Sequence, residues 1–311
     1  MNLLWLLPLA LLLVVGIYAI YHRRAVGEAP VFANYWREVL KIEVKDIRVA
    51  RLDYGDDPMQ YVLICEPKEG VTRREVIFHI HGGGWRFGRP DFFLQHAQLF
   101  CSWGYTVVLP CHRKTPKFKA PALREDTTLA YRATLNYLDE VDRSEDSIIL
   151  SGVSSGGNLV GLLLYDEETA LREKLDLSRV VGAMFFGAPL DLSGMKWSTV
   201  LRSYAGSRRR EKFRRASPIS FLHENSPKLS VLGVHGTHDA IVQRAAGTNF
   251  YEGLETLHPG STEQILLEGG RHLSPVAWAH EAGALRERVR EWLAGLGVGA
   301  SVGDQTGKVW D

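Results

Sequence analysis

Six short runs dominate the chain: 75–81 (EVIFHIH), 105–110 (YTVVLP), 147–152 (SIILSG), 181–187 (VGAMFFG), 229–236 (LSVLGVHG) and 263–270 (EQILLEGG). Each is strand-sized and apolar almost without a break. A strand with one face in water alternates polar and apolar residues, whereas a strand covered on both faces reads as a continuous apolar run. Between the runs lie helical patterns. Residues 121–141 open on Pro121 at a first helical position, place Glu125 and Asp126 in the early turns, and repeat apolar residues at helical spacing. Residues 158–168, 243–257 and 275–296 are the other predicted helices. Strand and helix in alternation imply right-handed βαβ units and a doubly wound, mostly parallel sheet in one α/β domain. Residues 31–75 are expected to add a leading antiparallel hairpin.

The first residues are of another kind. From Leu3 to Tyr21 there is no charge, and roughly twenty apolar residues rising ~1.5 Å each span a hydrocarbon core of about 30 Å. A cleaved signal has a shorter apolar region, a basic region before it and a small-residue site after it; here His22, Arg23 and Arg24 follow the run. Residues 1–24 are therefore expected to be a single-pass membrane anchor. By the positive-inside tendency, Arg23 and Arg24 put the body of the protein on the cytosolic side. The remainder divides into a catalytic domain over 25–296 and a Gly-rich, flexible tail over 297–311.

Charge and cysteine usage narrow the function classes. A formal net charge of +1 is not that of a protein held to nucleic acid by phosphate neutralisation. Cys65, Cys101 and Cys111 are odd in number and far apart, which suits packed thiols better than a disulfide framework or a zinc knuckle.

After the strand-like SIIL comes SGVSSGGNLVGLLL, in which Gly152-Val153-Ser154-Ser155-Gly156 forms G-x-S-x-G between a strand and a helix. A glycine-rich turn without chemistry shows the same letters. The strand before and the apolar helix after give the pattern its meaning, because a tight turn lifts Ser154 to the head of the sheet. A serine hydroxyl needs a base to take its proton and a carboxylate to orient that base. Asp239, in HGTHD, stands just past one strand and His272, in GGRHL, just past the last. Asp191 is the second choice of acid; His258 and His280 are less well placed bases. The three consecutive glycines after His81 allow backbone N–H groups to approach an oxyanion, and Gly83, Gly84 and Ser155 are the candidate donors, with His81 bracing the loop.

HGGGW, GVSSGGN, HGTHD and GGRH together resemble the α/β-hydrolase superfamily and, within it, the hormone-sensitive-lipase-like esterases that include arylacetamide deacetylases. The resemblance covers residues from about 75 to 295. It implies an α/β-hydrolase fold and carboxylester hydrolysis through an acyl-enzyme, with Ser154, Asp239 and His272 as triad. The chain departs from the group's usual pattern at three places. Val153 stands where an acidic residue is usual, residues 111–116 read CHRKTP in place of Tyr-Arg-Leu-Ala-Pro, and the histidine sits in GGRHL.

Residues 190–225 break the alternation and are expected to form a helical cap over the site. They carry Arg202, Arg208, Arg209, Arg210, Lys212, Arg214 and Arg215 around Phe213, with Glu211 the one acid in the cluster. Such a run is a solvated face or a contact for anionic headgroups. The expected substrate is a small lipophilic ester, and the mechanism requires neither metal nor organic cofactor. Three rivals stand beside it: an amidase or formamidase using the same triad, a hydrolase-fold receptor, and a metallohydrolase built on His79 with His81 or on His235, His238 and Asp239.

Overall fold

A computed structural model describes residues 27–70 and 72–296; the expected anchor over 1–24 and tail over 297–311 lie outside the described residues. Among the described residues no helix is long and apolar enough to cross a membrane.

Eight strands form one sheet in the order β1-β2-β4-β3-β5-β6-β7-β8. They are β1 Ile47–Asp53, β2 Tyr61–Pro67, β3 Glu75–Ile80, β4 Thr106–Pro110, β5 Ser147–Val153, β6 Val180–Phe186, β7 Ser230–Gly236 and β8 Thr262–Leu267. β1 pairs antiparallel with β2, and β2 antiparallel with β4; every other pairing is parallel. This is a mostly parallel α/β-hydrolase sheet with its leading hairpin at one edge.

The apolar runs are continuous because both faces are covered. On β3, Val76, Phe78 and Ile80 enter one core while Ile77 enters the other, as the two-residue strand period requires. Helices α3 (Ala120–Glu140), α4 (Ser155–Tyr165) and α8 (Ala245–Leu257) cover the first face through Leu123, Leu163 and Phe250; α1 (Ala29–Val39), α2 (Leu94–Ser102) and α9 (Ala284–Gly295) cover the second through Tyr35, Phe100 and Trp292. β8 departs from this reading, since its residues are only half-buried. It is the far edge of the sheet, and only one neighbouring strand shields it.

Several boundaries differ from the periodic reading. The predicted helix over 158–168 begins at Ser155 and ends at Tyr165, because Asp166 turns to cap a separate helix, α5 (Glu167–Glu173), by accepting the Thr169 N–H. The helix predicted over 275–296 is a 3-10 turn, Ser274–Ala279, followed by α9; Gly283, in extended backbone, separates them. The sequence reading did not anticipate α1 or α2. Between β6 and β7 the chain forms two short helices, α6 (Thr199–Ala205) and α7 (Glu211–Arg214).

Candidate active site

Ser154 is the single residue between the end of β5 and the start of α4, with φ 49° and ψ −120°. A non-glycine residue in that conformation is strained and persists only where its surroundings hold it. Here the Ser154 N–H donates to the Phe186 carbonyl at 2.8 Å, tying the turn to β6. The flanking glycines have a steric reason. A Cβ on Gly156 would lie 2.3 Å from the Ile80 carbonyl oxygen, and one on Gly152 would lie 2.5 Å from the Gly157 nitrogen. Strand, turn and helix thus touch backbone to backbone, and the Ser154 hydroxyl stands at the C-terminal ends of β3 and β5.

The structure brings Ser154, Asp239 and His272 together. His272 Nε2 lies 3.0 Å from Ser154 Oγ, and His272 Nδ1 lies 2.7 Å from Asp239 Oδ2. The other Asp239 oxygen, Oδ1, accepts the N–H groups of Ile241 and Val242, each at 2.8 Å. With the carboxylate so fixed, Nδ1 carries the proton and Nε2 faces the serine as acceptor. Burial alone would pull the imidazole towards its neutral form; the Asp239 charge and hydrogen bond, with a contribution from Glu28, outweigh it and raise the His272 pKa.

The competing candidates are engaged elsewhere. Asp191 Oδ1 accepts from the Ser193 N–H and hydroxyl, and its Oδ2 accepts from Asn249 Nδ2. His258 Nε2 donates to the Ser226 carbonyl. His280 packs edge-on to Tyr35. His235 Nε2 donates to the Val242 carbonyl at 2.9 Å and lies 3.6 Å from Asp239 Oδ2. His79 bonds Ser151 Oγ at 2.8 Å inside the core, where burial pushes its pKa down to about 3. Among the described residues no group of three or more His, Cys, Asp or Glu side chains has a metal-binding arrangement.

The glycine loop lies against the nucleophile: a Cβ on Gly82 would be 3.4 Å from Ser154 Cβ. Gly83 (φ 138°) and Gly84 (φ 60°) follow it. A Cβ on Gly83 would meet the Phe87 carbonyl oxygen at 2.2 Å, so only glycine fits there. The Gly83 carbonyl accepts from Arg86 and Phe87 N–H, while the Gly83, Gly84 and Ser155 N–H groups make no hydrogen bond among the described residues. All three residues line the cavity into which Ser154 and His272 open. His81 braces the loop, its Nδ1 donating to the Gly82 carbonyl at 2.8 Å. The CHRKTP departure belongs to the same support. Lys114 Nζ donates to His81 Nε2 at 3.1 Å, and burial brings that lysine down to about 8; His112 stacks on His81 with ring centroids 5.0 Å apart. Val153 is buried.

The cavity has a volume of about 1270 Å³. Its walls include Phe32 and Trp36 of α1, Phe92 and Phe93 before α2, and Met195 and Trp197 before α6. Phe32 lies parallel to the His272 ring with centroids 6.0 Å apart. Three of the lining aromatics, Phe87, Phe92 and Trp197, are 66%, 45% and 46% exposed, so the cavity opens through an apolar rim. Sequence reasoning missed these walls. The i, i+3, i+4 spacing of Phe32, Tyr35 and Trp36 was the available signal for α1. Of the basic run, Arg202 lines the cavity beside Lys196, Arg208 sits 5.7 Å over the Trp197 ring, and Arg215 pairs with Glu168 at 2.9 Å. Phe213 is buried beneath the run.

The chain is similar to arylacetamide deacetylase of Bos taurus, 29% identical over 142 residues that cover 42% of this chain and 35% of that protein. It is also similar to Esterase LipQ of Mycobacterium tuberculosis, 24% identical over 252 residues covering 76% of this chain and 59% of that one. The chain thus spans less than two thirds of the length of the curated relatives it matches. The fold matches that of an inhibited Esterase B from Lactobacillus rhamnosis with TM-score 0.69 and 16% identity, over 90% of this chain and 96% of that one. The BD-FAE family model matches residues 63–254, from the leading hairpin to the helix before the last strand, and so over more than half of its length the chain belongs to the BD-FAE family.

Proposed function

We propose that the protein is a serine carboxylester hydrolase acting on a lipophilic ester through an acyl-enzyme. One observation carries this reading: Ser154, His272 and Asp239 form a continuous relay of 3.0 and 2.7 Å at an apolar cavity. Ser154 Oγ attacks the ester carbonyl as its proton passes to His272 Nε2, and Asp239 holds the imidazolium that forms. The carbonyl oxygen gains the negative charge, which the N–H groups of Gly83, Gly84 and Ser155 receive. His272 then returns the proton to the departing alcohol. Water, deprotonated by the same imidazole, attacks the acyl-enzyme, releases the acid and restores Ser154.

The catalytic domain runs over 25–296 in this reading, and residues 190–225 cap the cavity. The aromatic rim suits a substrate taken from an apolar phase. Residues 1–24 act as a single-pass anchor, with the domain on the cytosolic side, and the unpaired arginines of the cap face anionic headgroups, each contributing on the order of 1 kcal/mol. Flotation of the 28–311 fragment with phosphatidylserine vesicles, compared with Arg208, Arg209 and Arg210 changed to Gln, checks the last point; equal flotation removes it.

The test of the activity is labelling by a fluorophosphonate beside Ser154→Ala, with p-nitrophenyl esters from acetate to palmitate. Labelling lost in the variant, with turnover peaking at one chain length, is the expected result. A wild type that neither labels nor turns over would falsify the reading.

A further inference from the structure

Glu28 occupies the N-cap position of α1 yet makes no side-chain cap to its own helix, although an acid there usually accepts one of the free N–H groups of the first turn. It is 1% exposed, and its carboxylate reaches away from α1. Oε1 accepts the Ala240 N–H at 3.0 Å, and Oε2 accepts the His272 N–H at 3.3 Å. Ala240 directly follows Asp239. One buried carboxylate therefore joins the loop of the acid to the backbone of the base. The contact is reinforced on both sides: Arg271 Nη1 donates to the Gly27 carbonyl at 2.7 Å, and Phe32, one turn further along α1, lies over the His272 ring.

A buried carboxylate is costly unless hydrogen bonds and charge partners compensate it. Among the described residues Glu28 has no Lys or Arg within salt-bridge distance, and its partners are the two backbone N–H groups. An apolar residue would seal α1 against the loops without that cost, so the acid points to a role in the site. The groups that face the His272 ring and backbone are Asp239, Glu28, Ser154 and, behind Asp239, His235; the adjacent Arg271 directs its guanidinium to Gly27. The carboxylates are the charged groups in direct contact with His272, and both favour the imidazolium.

We propose that Glu28 is a positioning residue of the relay: by holding the Asp239 loop and His272 to one carboxylate, it keeps the imidazole aligned on Ser154 and adds negative charge behind the imidazolium. The role rests on the serine-hydrolase reading. Glu28→Gln keeps the shape but turns an NH2 group towards one of the two N–H donors, and it removes the charge. Misalignment of a catalytic group by about 1 Å costs up to about a hundredfold in rate.

The experiment uses the full chain, as wild type, Glu28→Gln, Glu28→Ala and Glu28→Asp. Competent sites are counted by exhaustive fluorophosphonate labelling, and kcat and KM are measured for p-nitrophenyl butyrate across pH, beside thermal unfolding. In Glu28→Gln, kcat per labelled site is expected to fall about tenfold to a hundredfold with KM little changed. The acid limb of kcat/KM shifts to lower pH, and Glu28→Asp recovers part of both. Unchanged kcat per site and an unmoved acid limb, with only a lower Tm, mean that Glu28 merely packs α1 and overturn the role. Should Glu28→Ala fail to fold, the isosteric Gln variant decides. A wild type that does not label overturns the hydrolase reading and this one with it; a labelled wild type beside unaffected variants overturns the role of Glu28 alone.

Discussion

Trp85 lies flat on Tyr204, ring centroids 4.0 Å apart and planes inclined by 6°. Trp85 follows Gly82, Gly83 and Gly84, and Tyr204 belongs to α6 of the segment between β6 and β7. The Tyr204 hydroxyl donates to Asn158 Oδ1 at 2.7 Å, and Asn158 Nδ2 donates to the carbonyls of Pro189 and Ala216 at 3.1 and 3.0 Å. Asn158 lies one turn beyond Ser154. The glycine loop, the insertion and the helix that follows Ser154 are thus linked through three side chains, Trp85, Tyr204 and Asn158.

Tyr204→Phe keeps the stack and leaves Asn158 Oδ1 buried without its donor, at a cost of about 1–3 kcal/mol. Tyr204→Ala also opens a cavity and should cost about 3–5 kcal/mol. Urea unfolding checks both, with the midpoint falling in that order and the slope unchanged.

Gly83→Ala forces its Cβ onto the Phe87 carbonyl and shifts the loop. Loss of an oxyanion donor lowers kcat by about a hundredfold to a thousandfold. Gly84→Ala is milder, because its nearest neighbour is the Val200 side chain at 3.2 Å. Ester turnover per labelled site measures both. Equal losses in the two variants would contradict the assignment of steric crowding to Gly83.

The raised His272 pKa fixes the sign of the pH dependence. The base works only when neutral, so kcat/KM climbs as pH rises through that pKa, and the midpoint lies above the ordinary histidine value of about 6.5. Asp239→Asn removes the charge and reverses the tautomer preference, with an expected loss of roughly 10⁴-fold in kcat. A pH–rate profile of each form checks both statements.

Asp126 is fully buried and accepts from Gln60 Nε2 at 2.8 Å, Arg113 N at 2.7 Å and Arg113 Nε at 2.9 Å. Asp126→Ala leaves Arg113 paired with Glu125 alone, at 2.7 Å, and strips the Gln60 amide and the Arg113 N–H of their acceptor, so it should destabilise the protein by about 1–3 kcal/mol. Activity per labelled site should fall much less than in the Gly83 variant. Parallel denaturation and site titration distinguish the two effects.

Ser154, Asp239 and His272, which the structure brings together, were legible because each stands within five residues of a strand's end, where chain order and local pattern mark it: Ser154 in its strand-turn-helix string, Asp239 after β7, His272 after β8. The central strands were legible for the same reason, since burial on both faces writes itself as an unbroken apolar run. Glu28 was not. Its partners lie 212 and 244 residues away, and nothing within a turn of it signals a carboxylate turned away from its own helix. The helix at Leu94–Ser102 was hidden for another reason: it lacks an acid in its first turn, a basic residue in its last and a side-chain cap, the marks by which helix ends are read.

The contact between Glu28 and His272 also has a consequence for biogenesis. Chains fold during synthesis from the N-terminus onward, and a sheet whose last strand precedes the base cannot supply that base early. Glu28 leaves the ribosome 244 residues before the His272 N–H that it binds. Until residue 272 has been made, a nascent polypeptide displays Ser154 with nothing to accept its proton. On the proposed hydrolase reading, translation that stops short leaves the site inert, and the contact between Glu28 and His272 closes only when both segments are present.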